Sequence, residues 1–249
     1  MRGGHVRDVA EPDPVQHARG GDGLRGDPAQ PGARAAGARG FGGRVRSGAA
    51  RGPIPESAEP RPVGPYGVSK LAGTELVLNS GLDALVLRVF DVVGPGAPTA
   101  SLFGRLAEGL RRALEQDENQ VRMPDLSGYR DFVDVRDVAR AIQAAAVSAA
   151  TGVINIGSGH AVRARDAAHL LVRASGFEGT VSEDARQVVL PAQQAGAEGL
   201  RAVEARTVAE PVQWRQADVR TARDRLGWRT QVPLEESLAD VWLETACRV

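Results

Sequence analysis

The chain has 249 residues, room for one large domain or two small ones, and 42% of them are hydrophobic, enough for a substantial core. Its 31 basic and 31 acidic side chains cancel, which argues against a strongly basic nucleic-acid binder and against an acidic tail protein. The cancellation conceals a split: residues 1–52 hold nine Arg against five acids, a net +4, together with 13 of the 30 glycines, and the remainder carries −4.

Residues 1–52 contain few large apolar side chains beyond Leu24 and Phe41. No strand-length apolar run and no helical stripe is visible there, and the composition is that of an irregular Arg/Gly/Ala segment. From Pro53 the pattern changes. Five prolines (53, 55, 60, 62 and 65) lead into a helix predicted over 66–79 and closed near Gly81. Residues 84–90 (ALVLRVF) read as a buried strand, followed by a Gly/Pro loop over 94–98. A helix is expected over 100–115, where Leu102, Leu106, Leu110 and Leu114 recur every fourth residue. Residues 130–135 read as a short strand, with Asp137 able to cap a helix reaching about Ala149. Residues 152–157 (GVINIG) give another strand. Helices are expected near 165–174, 218–226 and 234–246, and a strand near 186–190. Strands alternating with helices define an α/β chain with a largely parallel sheet.

Cys247 is the one cysteine, so no internal disulfide can form, and a reducing, cytoplasmic setting is expected. No apolar run approaches the ~18 residues of a membrane span, and the basic N-terminus lacks the apolar stretch of a secretory signal.

The strongest chemical signal is Tyr66-Gly67-Val68-Ser69-Lys70. Residues i and i+4 share a helix face, so Tyr66 and Lys70 project together. A nearby ammonium stabilises phenolate and prepares the hydroxyl to pass a proton to or from a carbinol or carbonyl oxygen. An ordinary surface Tyr and Lys is the plain alternative. Against it, Lys70 is the only lysine beside 30 arginines, and arginine, with its fixed fork, would not replace it well.

The segment PYGVSKLAGTELVL (65–78) resembles the active-site helix of the NAD-dependent epimerase/dehydratase family, the extended short-chain dehydrogenase/reductases. The resemblance continues in order through LRVFDVVGPG (87–96), RDFVDVRDVARAI (130–142), GVINIGSG (152–159) and ADVRTARDRLGW (217–228), covering about 53–249. It implies an incomplete Rossmann-like parallel sheet, built from 53–95 plus about 130–158, that binds NAD or NADP. It implies a smaller C-terminal α/β substrate-binding part, about 96–129 plus 159–249, for a nucleotide-sugar substrate. Tyr66 would be the acid/base, and Lys70 would tune it while holding the nicotinamide ribose. Aligning Gly52 with the Gly of the family's VYG-like segment puts Ser47 where a Ser or Thr hydrogen-bonds the reacting oxygen, although Arg51 stands where Tyr is usual. A loop serine is the alternative for Ser47. Gly48 and Ala49 replace the Asp-Glu of family dehydratases, which disfavours 4,6-dehydration. Arg130 resembles the arginine that grips the sugar-nucleotide diphosphate. Arg88 opens the RxxNxxGP-like block as a further substrate contact, but Asp91 stands where Asn is usual, and a carboxylate there would repel a diphosphate. Trp228 reads as a packing anchor, and Asn155 and Gly157 as shaping a strand-end turn.

The family's opening βα unit with its glycine fingerprint has no counterpart in context. Gly21-Asp22-Gly23-Leu24-Arg25-Gly26 has the formal spacing but follows no strand and opens no amphipathic helix. Residues 1 to about 45 are therefore expected to be an out-of-frame or mis-started translation joined to a family C-terminal portion, leaving most of the cofactor site absent. The expected function is a nucleotide-sugar epimerase or 4-keto-sugar reductase. The 130–142 block and the 94–98 loop look closer to the GDP-4-keto-6-deoxymannose reductase branch. A non-catalytic or truncated remnant is the alternative. Members of the family often dimerise through helices including the Tyr/Lys one, so a homodimer is implied, with no nucleic-acid or membrane partner.

Overall fold

A computed structural model describes residues 52–62, 64–184 and 214–248, and the backbone of 35–39. Ser47, the 21–26 glycine segment and the strand expected near 186–190 lie outside the described residues. Three parallel strands form the main sheet in the order β1 (Ala35–Arg39), β2 (Leu85–Val89) and β6 (Gly152–Ile156). A second sheet pairs β3 (Asp91–Val93) in parallel with β5 (Tyr129–Asp134), which pairs antiparallel with β7 (Ala161–Arg163). The strands β4 (Gln120–Met123) and β8 (Thr180–Glu183) form a third, parallel pair. The fold is α/β and partial Rossmann-like, as the sequence implies. Strand β1 is a departure, because Ala-Ala-Gly-Ala-Arg has none of the β-branched or aromatic residues that favour strands. Its parallel register with β2 supplies what propensity does not.

The helices among the described residues are α1 (Gly64–Leu78), α2 (Leu102–Glu115), α3 (Val135–Val147), α4 (Ala164–Ser175), α5 (Arg220–Leu226) and α6 (Leu234–Ala246). The leucine row of α2 is only partly buried. Phe103, Leu106, Ala107, Leu110 and Ala113 are buried, whereas Leu114 is 45% exposed. Every-fourth spacing drifts ~40° per step around a helix, so the three steps from Leu102 to Leu114 turn by ~120° and leave the buried face. Ser101 caps this helix by accepting from the Gly104 N–H at 3.1 Å. Gly104 cannot be larger, because a Cβ would stand 2.1 Å from the Pro98 carbonyl oxygen.

Two larger clusters of buried side chains, beside a small one of Ile54, Phe90 and Ala217, organise the interior among the described residues. Leu85, Leu87, Val89, Ile154 and Ile156 of the parallel sheet pack with Ala141 and Ala145 of α3, Ala222 of α5 and Trp228. Leu106 and Leu110 of α2 pack with Leu171 of α4, Leu238 and Val241 of α6, and Phe132. A fully buried Leu contributes roughly 1.5–3 kcal/mol against its exposed state. The Trp228 Nε1–H donates to the Asp137 carbonyl at 2.9 Å. Asp137 is not the cap of α3. It is fully buried and accepts from the Gln231 and Val232 N–H groups and from Arg140. The cap is Asp134, three residues earlier, because β5 runs directly into the helix.

Asp134 also accepts from Arg136 Nε at 2.9 Å and from Ser237 Oγ at 2.5 Å, tying α3 to α6. Burial alone would raise its pKa, but the bonds from Arg136 and Ser237 outweigh this and hold the carboxyl below the usual range. A depressed folded-state value contributes stability present above the unfolded-state pKa and lost as pH falls through the folded one. The Asp134→Asn variant should be less stable than wild type at neutral pH, with the difference narrowing below the ordinary aspartate range. Urea denaturation at a series of pH values checks this, and a pH-independent difference would contradict it.

Candidate active site

Helix α1 returns to β2 through residues 79–84 and packs on β1 and β2. Its C-terminus therefore lies near the amino ends of these strands, and its first turns lie at their carboxyl ends, where open α/β sheets bind ligands. Tyr66 and Lys70 occupy those first turns. Gly64 precedes them at φ 71°, a left-handed turn suited to glycine, and Pro65 sits in the first turn, where its missing N–H costs nothing. Gly67 and Thr74 are the buried residues of α1. Tyr66 is 58% exposed, and Lys70 Nζ stands 5.4 Å from the centroid of its ring. The structure thus brings the Tyr/Lys pair together on one helix face.

A second group assembles just past the end of β2. Asp91 begins β3, with Arg130 Nη1 at 3.6 Å and Arg215 Nη1 at 3.8 Å from its carboxylate oxygens. Asp91 also lines a cavity of about 210 Å³ walled by Phe90, residues 92–98, Ser101 and Val135. Burial lowers the pKa of Arg215, opposed by Asp91 and reinforced by Arg130. Arg215 was not foreseen from the sequence. Its signal would have been the Arg-x-x-Asp spacing to Asp218 just before α5, which becomes informative only once 215 is seen beside β5. Its N–H donates to the Tyr129 carbonyl at 3.0 Å, and Trp214 stacks on Tyr129 with ring centroids 4.8 Å apart.

Asp131 fixes this meeting of arginines. Its fully buried carboxylate accepts from the Ser158 N–H at 2.6 Å, Ser158 Oγ at 2.7 Å, the Gly159 N–H at 3.0 Å and the Ala217 N–H at 2.9 Å. Burial pushes its pKa up, and the donors from Ala217, Ser158 and Gly159 oppose that rise. Gly157 makes room, since a Cβ there would lie 2.6 Å from Ala217 Cβ.

Arg88 has a different setting. Its Nη1 donates to the Glu56 carbonyl at 2.9 Å, and burial lowers its pKa against the raising effects of Glu56 and Glu75. It ties the Pro-rich segment to the sheet, together with Asn155, whose Nδ2 donates to the Ile54 carbonyl at 2.9 Å. Among the described residues no three His, Cys, Asp or Glu converge as a metal-binding set. No helix among them is long and apolar enough to cross a membrane.

A parallel sheet with a helix starting at its carboxyl edge is a Rossmann-like arrangement. Residues 45–157 match the NAD dependent epimerase/dehydratase family. It is 35% identical over 193 residues to the dTDP-6-deoxy-L-talose 4-dehydrogenase (NAD(P)(+)) of Kitasatospora kifunensis, covering 75% of this chain and 55% of that protein. It is 28% identical over 210 residues to the GDP-6-deoxy-D-mannose reductase of Pseudomonas aeruginosa, covering 79% and 60%. The chain thus spans between 55% and 60% of the length of these curated relatives. Among solved structures, RMD from Pseudomonas aeruginosa complexed with NADPH superposes with a TM-score of 0.70 at 25% identity, covering 86% of this chain and 67% of that one. MoeE5 in complex with UDP-glucuronic acid and NAD gives 0.63 at 28% identity, covering 85% and 64%.

Asp91 is the carboxylate that Arg130 and Arg215 share, and its charge opposes any anion that approaches them. Removing a charge a few ångströms from that anion is worth about 1 kcal/mol in a solvated cleft. The Asp91→Asn variant should therefore bind pyrophosphate or a nucleoside diphosphate roughly fivefold more tightly at low salt. The gain should shrink as salt rises. Calorimetric titration checks this, and weaker binding by the variant would contradict it.

Proposed function

We propose that this chain carries the catalytic edge of an NAD(P)-dependent enzyme that interconverts a hydroxyl and a ketone at C4 of a nucleotide-linked 6-deoxy sugar. The observation that carries the reading is the pairing of Tyr66 with Lys70 at the carboxyl edge of the parallel sheet. Support comes from the relatives, a 6-deoxy-L-talose 4-dehydrogenase and a 6-deoxy-D-mannose reductase, and from solved neighbours that hold NADPH or NAD.

An exposed phenol with a cation beside its ring suits the nicotinamide end of a dinucleotide, where a proton must move close to the transferred hydride. The cofactor, when bound, supplies or accepts that hydride. In the reducing direction Tyr66 Oη donates its proton to the oxygen developing charge at the sugar carbon. The Lys70 ammonium stabilises the phenolate left behind, which regains a proton from solvent. Arg130 and Arg215 hold the diphosphate, a planar fork suiting two phosphate oxygens better than a point charge does. Residues 53–95 and about 130–158 then serve the cofactor side, and about 96–129 and 159–249 the sugar-nucleotide side. Arg88 acts indirectly, by bracing the Pro-rich segment, and Ser47 supplies a hydroxyl to the reacting oxygen. The homodimer implied by the family uses α1, whose Val68 and Leu76 are exposed.

Epimerisation is a second reading, favoured by 28% identity over 208 residues to the UDP-glucose 4-epimerase of Streptomyces lividans. The two separate by stoichiometry, since a reductase consumes NAD(P)H and an epimerase shows no net consumption. With a GDP- or dTDP-linked 4-keto-6-deoxy sugar, reduced nicotinamide should disappear one for one with sugar. Tyr66→Phe should lower kcat by about 100-fold or more, the usual scale for losing a general acid. Lys70→Arg should fail to restore the activity lost in Lys70→Ala, because arginine lacks the compact ammonium. Undiminished turnover in Tyr66→Phe would overturn the assignment.

A further inference from the structure

The cavity wall over residues 94–98 has little means of fixing its own shape. Two of its five residues are prolines without N–H groups, and Gly94 and Gly96 adopt φ of 125° and 76°. The Gly96 N–H is spoken for at long range. It donates to Oε2 of Glu244, 148 residues further on in the last turn of α6. The other carboxylate oxygen of Glu244 accepts from Arg248 Nη2 at 2.7 Å. A carboxylate in the last turn of a helix faces unpaired carbonyls and is poorly placed there by itself. The guanidinium of Arg248, and then the Gly96 amide, offset this and hold the Glu244 carboxyl below the usual glutamate range. The same helix also supports the loop by packing, because Val93 and Ala97 join the cluster that holds Val241 and Trp242.

We propose that Glu244, held by Arg248, is a positioning residue that fixes the 94–98 wall through the Gly96 amide, so that the last turn of α6 sets the affinity of the cavity. The proposal rests on the reading of that cavity as part of a nucleotide-sugar site. Glu244 acts through the loop and not on the ligand. Its loss should therefore weaken binding while leaving the Tyr66/Lys70 chemistry per bound substrate nearly unchanged.

The test uses the full chain as wild type, Glu244→Ala, Glu244→Gln and Arg248→Ala. Two quantities are read: amide hydrogen exchange at Gly96, and affinity for UDP-glucose, GDP-mannose and dTDP-glucose. In Glu244→Ala the Gly96 amide should exchange about tenfold faster, the protection of roughly one charge-assisted bond. The best-bound nucleotide sugar should bind about fivefold more weakly, the cost of ordering the wall anew. The thermal midpoint should stay close to wild type. Glu244→Gln keeps an oxygen for the amide and should recover most of the protection, with Arg248→Ala between the two. Unchanged exchange in Glu244→Ala would overturn the proposal, as would faster exchange with unchanged affinity. Failure of wild type to bind any of the three sugars would instead overturn the nucleotide-sugar reading, while faster exchange at Gly96 in Glu244→Ala would still support the latch.

Discussion

A single buried carboxylate decides where Arg130 and Arg215 meet. Asp131 lies beside Arg130 in β5, and its four accepted hydrogen bonds reach the turn after β6 and the segment at Ala217. Burying an ionised carboxylate is costly unless donors surround it, and here every donor belongs to a segment that must be brought to β5. Arg215 sits two residues before Ala217, so the bond to the Ala217 N–H delivers its guanidinium to the same carboxylate, Asp91, that Arg130 faces. Were Asp131 apolar, the Arg215 N–H would still meet the Tyr129 carbonyl and Trp214 would still stack on Tyr129, but the turn after β6 and the segment at Ala217 would lose their shared acceptor.

The other half of the site depends on chain direction instead of a polar contact. Helix α1 and the parallel strands β1 and β2 run in opposite senses, which puts Tyr66 and Lys70 at the carboxyl edge whatever the surface of the helix is made of. This explains how a helix whose buried residues are Gly67 and Thr74 can carry the most specific chemical signal in the chain. The site is thereby divided between a helix start, placed by topology, and a pair of arginines, placed by Asp131.

The sequence shows these two halves unequally. Tyr66 and Lys70 are four apart on one helix, so their juxtaposition is a local property, and the lone lysine marks it. Helix α2 follows from its leucine spacing, although Leu114 at the end of that row lies in solvent. The cap of α3 is Asp134 and not Asp137, because β5 runs straight into the helix, which nothing local in the sequence shows. Strand β1 was illegible because its residues favour a strand only once β2 is alongside. Arg215, Asp131 and Glu244 act across separations that no local pattern encodes. Asp91 gives no local sign of its partners, because Arg130 and Arg215 reach it from distant segments.

The most direct test follows the hydride itself. The chain would be incubated with a nucleotide-linked 4-keto-6-deoxy sugar and NADPH deuterated at the nicotinamide C4, and the product sugar examined by NMR. The account predicts deuterium at ring carbon C4 of the product, with incorporation abolished in Tyr66→Phe. A reduced sugar without deuterium at that carbon, or equal incorporation by Tyr66→Phe, would contradict it.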